Sequence, residues 1–154
     1  MVMKSNYLLS NKFKVPGWIL LSFGVITGIC LTTTGFELDI LTIDVFSIYS
    51  DNDVFSSGGG FFKIMENSIV DELIALIIII GGLLVGFSKE KIEDEFIYKI
   101  RTDSLVWAIV VNYIILMFAI IFIYEFTFFD VLVYNMFTPL LFFIIRFNFL
   151  KARA

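Results

Sequence analysis

Long apolar runs alternate with short charged segments along the whole chain. A transmembrane helix needs roughly 20 predominantly apolar residues, and four runs approach that length, at residues 16–34, 69–87, 105–124 and 131–149. The pattern predicts an all-α membrane protein, a single polytopic domain folded as a four-transmembrane-helix bundle. The second run is the shortest, and it fits only if Asp71 and Glu72 lie at headgroup level.

The segment between the first two runs, residues 35–68, has a different pattern. Apolar and polar residues alternate over residues 38–40 and 42–45, and Ile, Val, Phe, Thr and Tyr dominate up to Tyr49. Asp, Asn, Ser and Gly follow, and the largely apolar residues 61–65 offer a return strand. Alternation bounded by turn residues is typical of paired strands. We therefore predict a small extracytoplasmic β-hairpin in this loop.

The connector between the second and third runs, residues 88–104, is the most charged part of the chain. Lys and Glu recur four positions apart in it, a spacing that brings their side chains together on a helix. Ile92, Phe96 and Ile100 share the same spacing and would form an apolar stripe. The connector therefore predicts an amphipathic helix that can continue into the third span.

Lys and Arg are concentrated in the N-terminal arm, in the connector 88–104 and at the C-terminal end. Residues 35–68 hold only Lys63, and residues 125–130 hold neither Lys nor Arg. Cytoplasmic flanks of membrane spans are enriched in these two residue types. The distribution predicts that both termini and the connector 88–104 face the cytoplasm.

Four carboxylates lie close together in the connector: Glu90, Glu93, Asp94 and Glu95. Because Lys residues neighbour them, we expect a solvated, self-paired helix face. The main alternative is a face that docks a cytoplasmic protein or packs against the N-terminal arm through Lys12 and Lys14. A divalent-cation site is the third interpretation. The chain has no His, which removes the usual nitrogen ligand of zinc, iron and copper.

Three polar residues fall inside the predicted spans: Asn112, Asn135 and Thr138. Side chains of this kind form hydrogen bonds between membrane helices that contribute about 0.6–2 kcal/mol each. The alternative is a polar path for an ion or solute. We expect structural contacts between helices, because two amides and one hydroxyl are few for a pore.

Composition narrows the function class. The 154 residues are 59% hydrophobic, with 11 Lys and Arg against 15 Asp and Glu and a single Cys. No basic face suits nucleic acid, no catalytic triad is available without His, and no Gly-rich phosphate loop precedes a helix. We expect a non-enzymatic protein without a cofactor that is a binding, sensory or regulatory partner. The alternative is a small oligomeric channel or transporter subunit.

Three segments carry a resemblance: SKEKIEDE, LVWAIVVNYIIL and VYNMFTPLLFFIIRF, all between Ser88 and Phe147. In these segments the chain resembles a group of small inner-membrane proteins of Bacteroidota. Members of that group are often encoded beside a small helix-turn-helix regulator. The resemblance implies a cytoplasmic-membrane location and a signalling or regulatory setting, and it implies no catalytic activity.

Overall fold

The computed structural model describes residues 7–34, 42–50 and 60–153. The structure divides into two compact units, and the single polytopic domain stays a prediction. One unit combines Met1–Gly24 with Ile77–Ala154, and the other is Val25–Leu76. The second unit is local in sequence because its two strands pair with each other.

Helices make up most of the described chain. A single 3₁₀ turn precedes the first helix, and the four helices are α1 (Lys14–Thr34), α2 (Val70–Gly86), α3 (Glu95–Phe122) and α4 (Phe126–Arg153). Three segments are long and apolar enough to cross a membrane: Asn11–Thr33, Glu95–Phe122 and Thr127–Arg153. The protein is therefore a multi-pass membrane protein, and these three segments match the first, third and fourth predicted spans.

The second predicted span, residues 69–87, corresponds to α2. This helix has 17 residues, which gives a length of about 26 Å. That length is a little less than the roughly 30 Å of a typical hydrocarbon core. The strand that precedes α2 extends to Ser68 and leaves room for no further turn. A membrane crossing by α2, which would bring the number of spans to four, therefore stays a prediction.

Two strands lie between α1 and α2, namely β1 (Thr42–Ser50) and β2 (Gly60–Ser68). They pair antiparallel, with Ser50 opposite Gly60 at one end. The predicted turn between them, residues 51–59, lies outside the described residues. The closed hairpin and its extracytoplasmic position remain predictions.

Glycines bring α1 and α2 into close contact. A Cβ on Gly17 would lie 2.8 Å from Leu84 Cβ, and a Cβ on Gly81 would lie 2.6 Å from the backbone nitrogen of Leu21. The later position in α1, Leu21, contacts the earlier position in α2, Gly81, so the two helices run antiparallel here. Small residues permit such close backbone approach, and a larger side chain would separate the helices.

The connector before α3 differs from the prediction. The helix begins at Glu95, so residues 89–94 are not helical and Ile92 belongs to no helical stripe. Asp94 is the N-cap, with extended backbone and a side chain that accepts a hydrogen bond from the Ile97 nitrogen at 2.8 Å. This cap starts the helix after the charged segment, because a capping residue itself lies outside the helix. From Glu95 onward the helix continues without interruption into the third span, as predicted.

Helix α4 is longer than its predicted span and passes through Pro139 without ending. Its most deeply buried residues are Phe143, Ile144 and Phe147. A Cβ on Gly86 of α2 would lie 2.6 Å from the Phe143 ring, so α2 contacts α4 here. The densest core of this unit is therefore near the connector 88–104.

Candidate functional site

The N-terminal segment is paired with the start of the connector. The Leu9 nitrogen donates to the Phe87 carbonyl and the Lys89 nitrogen donates to the Leu9 carbonyl, each at 2.9 Å. Asn11 Nδ2 donates to the Lys89 carbonyl at 2.6 Å. These bonds satisfy backbone groups that a free loop would leave to water. They fix the path of the connector as it leaves α2.

Glu90 binds two lysines from opposite ends of the chain. Its Oε1 accepts hydrogen bonds from Lys14 Nζ at the start of α1 and from Lys151 Nζ near the end of α4, the latter at 3.1 Å. We refer to these three residues as the Glu90 cluster. Burial raises the pKa of the Glu90 carboxyl, but the two lysines outweigh burial and hold it below its usual range. The carboxylate therefore stays ionised and joins the connector to α1 and α4.

Glu93 pairs with a buried arginine on α3. Arg101 has 3% of its side chain exposed, and its Nη1 donates to Glu93 Oε1 at 2.5 Å. Its Nη2 donates to the Ser88 carbonyl at 3.2 Å, and the guanidinium lies 5.0 Å from the centre of the Phe147 ring. Removing one partner of a buried ion pair costs about 3–5 kcal/mol. Glu93 thus has a structural role inside the chain.

Asp94 and Glu95 remain at the surface, where Asp94 caps α3 and Glu95 occupies its first turn. Beside them, Phe96 is 53% exposed and Ile92 is 79% exposed. The four predicted carboxylates therefore separate into two pairs. Glu90 and Glu93 are bound within the molecule, and Asp94 and Glu95 face outward.

Asn112 and Asn135 lie opposite each other on α3 and α4. Asn135 Nδ2 donates to Asn112 Oδ1 at 2.9 Å, and Asn112 Nδ2 donates to Asn135 Oδ1 at 3.3 Å. Thr138 differs from the prediction, because its hydroxyl donates to the Tyr134 carbonyl of its own helix at 3.0 Å. A hydroxyl so placed bonds back one turn and does not reach across the helix interface.

Sequence reasoning offered Lys14, together with Lys12, as one possible partner of the acidic connector, and the structure pairs Lys14 with Glu90. It missed the other two cations of the site, Arg101 and Lys151. Their acidic partners were visible, but Lys151 lies 61 positions from Glu90. The one local signal was Arg101, a charge eight positions after Glu93 at the start of an apolar helix. Within the described ranges, no group of three or more His, Cys, Asp or Glu side chains is arranged to hold a metal ion.

The arrangement is therefore a set of ion pairs that links the connector to α1, α3 and α4. Next to it lies a small surface with two carboxylates, Asp94 and Glu95, and two apolar side chains, Ile92 and Phe96. Comparison with protein-family models, with curated proteins and with solved structures finds no match for this chain.

Proposed function

We propose that this protein is a non-enzymatic protein of the cytoplasmic membrane that binds a cytoplasmic regulatory protein at the start of α3. The binding surface, which we call the docking face, consists of Ile92, Asp94, Glu95 and Phe96. One observation carries the proposal: two exposed apolar side chains flank two outward-facing carboxylates on a segment that is held at both ends, by the Leu9 bonds at Lys89 and by the Asp94 cap of α3. Fixing a binding segment in advance reduces the ordering cost of association.

Four crossings are part of the proposal. Four helix ends meet around the connector. Lys14 at the start of α1 and Lys151 near the end of α4 bind Glu90. Leu9 pairs with Phe87 just after α2, and Arg101 near the start of α3 donates to the Ser88 carbonyl. Because α1 and α3 start here and α2 and α4 end here, successive helices run in opposite directions. This alternation supports a membrane crossing by α2, and the Lys and Arg distribution supports a cytoplasmic position for the connector and both termini.

A small helix-turn-helix regulator is the partner that we propose. The resemblance to inner-membrane proteins encoded beside such regulators motivates this choice. Proteins of that class carry basic surfaces, which complement Asp94 and Glu95. The channel alternative is disfavoured, because Asn112 and Asn135 use their amides on each other and a polar path would need them free.

The test measures binding between the protein in lipid nanodiscs and the helix-turn-helix regulator encoded beside it. Glu95→Lys and Phe96→Ser should each weaken binding at least fivefold, as expected for contacts at the centre of an interface. Asp103→Lys is the matched control: an exposed carboxylate two turns further along α3 that should leave binding unchanged. Equal binding by the wild type and both docking-face variants would refute the proposal.

A further inference from the structure

An open groove borders the Glu90 cluster. It has a volume of about 480 Å³ and is lined by Lys14, Lys91, Lys151, Glu90, Val15 and Ile97, among others. Volumes of this order are usual for small-molecule sites. The groove lies between helices α1, α3 and α4, and the connector forms its rim.

The charges in the groove do not balance. Lys14 and Lys151 share the single carboxylate of Glu90, and Lys91 is exposed and makes no ion pair with the described residues. Three ammonium groups thus face one carboxylate. Glu93, the other carboxylate of this part of the connector, is engaged by Arg101. The groove therefore has a net positive charge, which favours a ligand of the opposite sign.

The position of the groove along the helices indicates which anion it meets. Trp18 follows Lys14 by about one helical turn. Arg146, whose guanidinium lies 5.2 Å from the Trp107 ring, precedes Lys151 by about one and a half turns. Trp is enriched at the level of the lipid headgroups, so Lys14 and Lys151, slightly nearer the helix ends, suit the level of the lipid phosphates.

We propose that this groove binds the headgroup of an anionic phospholipid, with the phosphate at Lys14, Lys91 and Lys151 and an acyl chain beside Val15 and Ile97. Basic pockets between transmembrane helices bind anionic headgroups in this manner. A carboxylate-rich connector would be repelled by an anionic leaflet, but here internal ion pairs use Glu90 and Glu93. The groove therefore presents the cations.

The experiment is native mass spectrometry of the detergent-solubilised protein titrated with phosphatidylglycerol or phosphatidylcholine. The wild type should bind phosphatidylglycerol more tightly. Lys91→Gln should weaken that binding about fivefold, and Lys91→Gln/Lys151→Gln about 25-fold, as expected for one lysine each near a lipid phosphate. Binding of phosphatidylcholine should not change.

Lys99→Gln is the control, since it removes an exposed lysine of α3 outside the groove. If Lys99→Gln weakens binding as much as Lys91→Gln does, or if the wild type does not prefer the anionic lipid, the proposal fails. Glycerol 3-phosphate carries the headgroup chemistry without acyl chains, and its displacing the lipid at equal concentration would also overturn the assignment. Should Lys151→Gln fail to fold, Lys91→Gln decides alone.

Discussion

Asn112 and Asn135 each satisfy the polar side chain of the other inside an apolar helix interface. In a membrane interior, where water cannot replace a lost partner, an unpaired amide is costly. Reciprocal pairing removes that cost for both residues at once. It also fixes the register of α3 against α4, because sliding either helix by one turn would separate the amides.

We expect the two amides to act as a unit. Asn112→Leu and Asn135→Leu should each destabilise the protein by about 1–2 kcal/mol, because each leaves the other amide unpaired. The double variant should lose less than the sum of the two, since replacing both partners leaves no unpaired group. Thermal or denaturant unfolding in detergent measures all three variants.

Thr138→Val is the control for this cycle. It removes a hydrogen bond within α4, so its effect should be small and should add to that of Asn112→Leu. A strictly additive Asn double variant would show that the amide pair contributes no coupling.

At the scale of elements, the connector is shaped by contacts to three helices and not by its own propensity. The sequence predicts a helix from residue 89 because Lys and Glu recur at four-residue spacing. In the structure Glu90 binds Lys14 and Lys151, which are distant in sequence, and Glu93 binds Arg101, eight positions further on. Local spacing cannot reveal a partner 61 or 76 positions away. It did identify the long apolar helices and the asparagines at their centres.

The ion pairs that Glu90 makes with Lys14 and Lys151 should make the stability of the protein depend on pH. The lysines lower the pKa of Glu90 in the folded state, so its contribution is full above the unfolded pKa of about 4.3. That contribution is lost as the pH falls through the lower folded pKa. Glu90→Gln should therefore be less stable than the wild type by about 1–3 kcal/mol at pH 7. The difference should disappear at strongly acidic pH.

Melting temperatures in detergent between pH 7 and pH 3 test this expectation. Glu95→Gln removes an exposed carboxylate in the first turn of α3 and should differ from the wild type by a smaller amount than Glu90→Gln does at pH 7. If the difference in stability between Glu90→Gln and the wild type stays constant over this range, the ion pairs of Glu90 do not contribute as expected.

For the whole molecule, the decisive property is the number of membrane crossings. Three helices qualify by length and composition, and α2 is shorter than they are. An odd number of crossings would place the N- and C-termini on opposite sides of the membrane. The contacts around the connector instead bring together the starts of α1 and α3 and the ends of α2 and α4. The sequence alone does not determine whether α2 crosses, because a hydropathy pattern does not reveal the glycine contacts between α2 and α1.

Impermeant maleimide labelling tests the crossing by α2 directly. In a Cys30→Ser background, Asp44→Cys places an exposed thiol before α2 in the chain, and Lys91→Cys places one after it. We expect Asp44→Cys to react in cells with a permeable outer membrane, and Lys91→Cys to react only after the inner membrane is opened. Labelling of both thiols in intact cells would mean that α2 does not cross.

The distances along the chain within the Glu90 cluster also set an order of assembly. Synthesis proceeds from the N-terminus, so Lys14 is made first, Glu90 follows 76 residues later and Lys151 a further 61 residues later. Lys14 and Glu90 can therefore form the first ion pair while α3 is still being translated. The second ion pair forms only when α4 has been inserted. One carboxylate thus joins an early helical pair to a late one, and the electrostatics of this end of the bundle are complete only when both are in place.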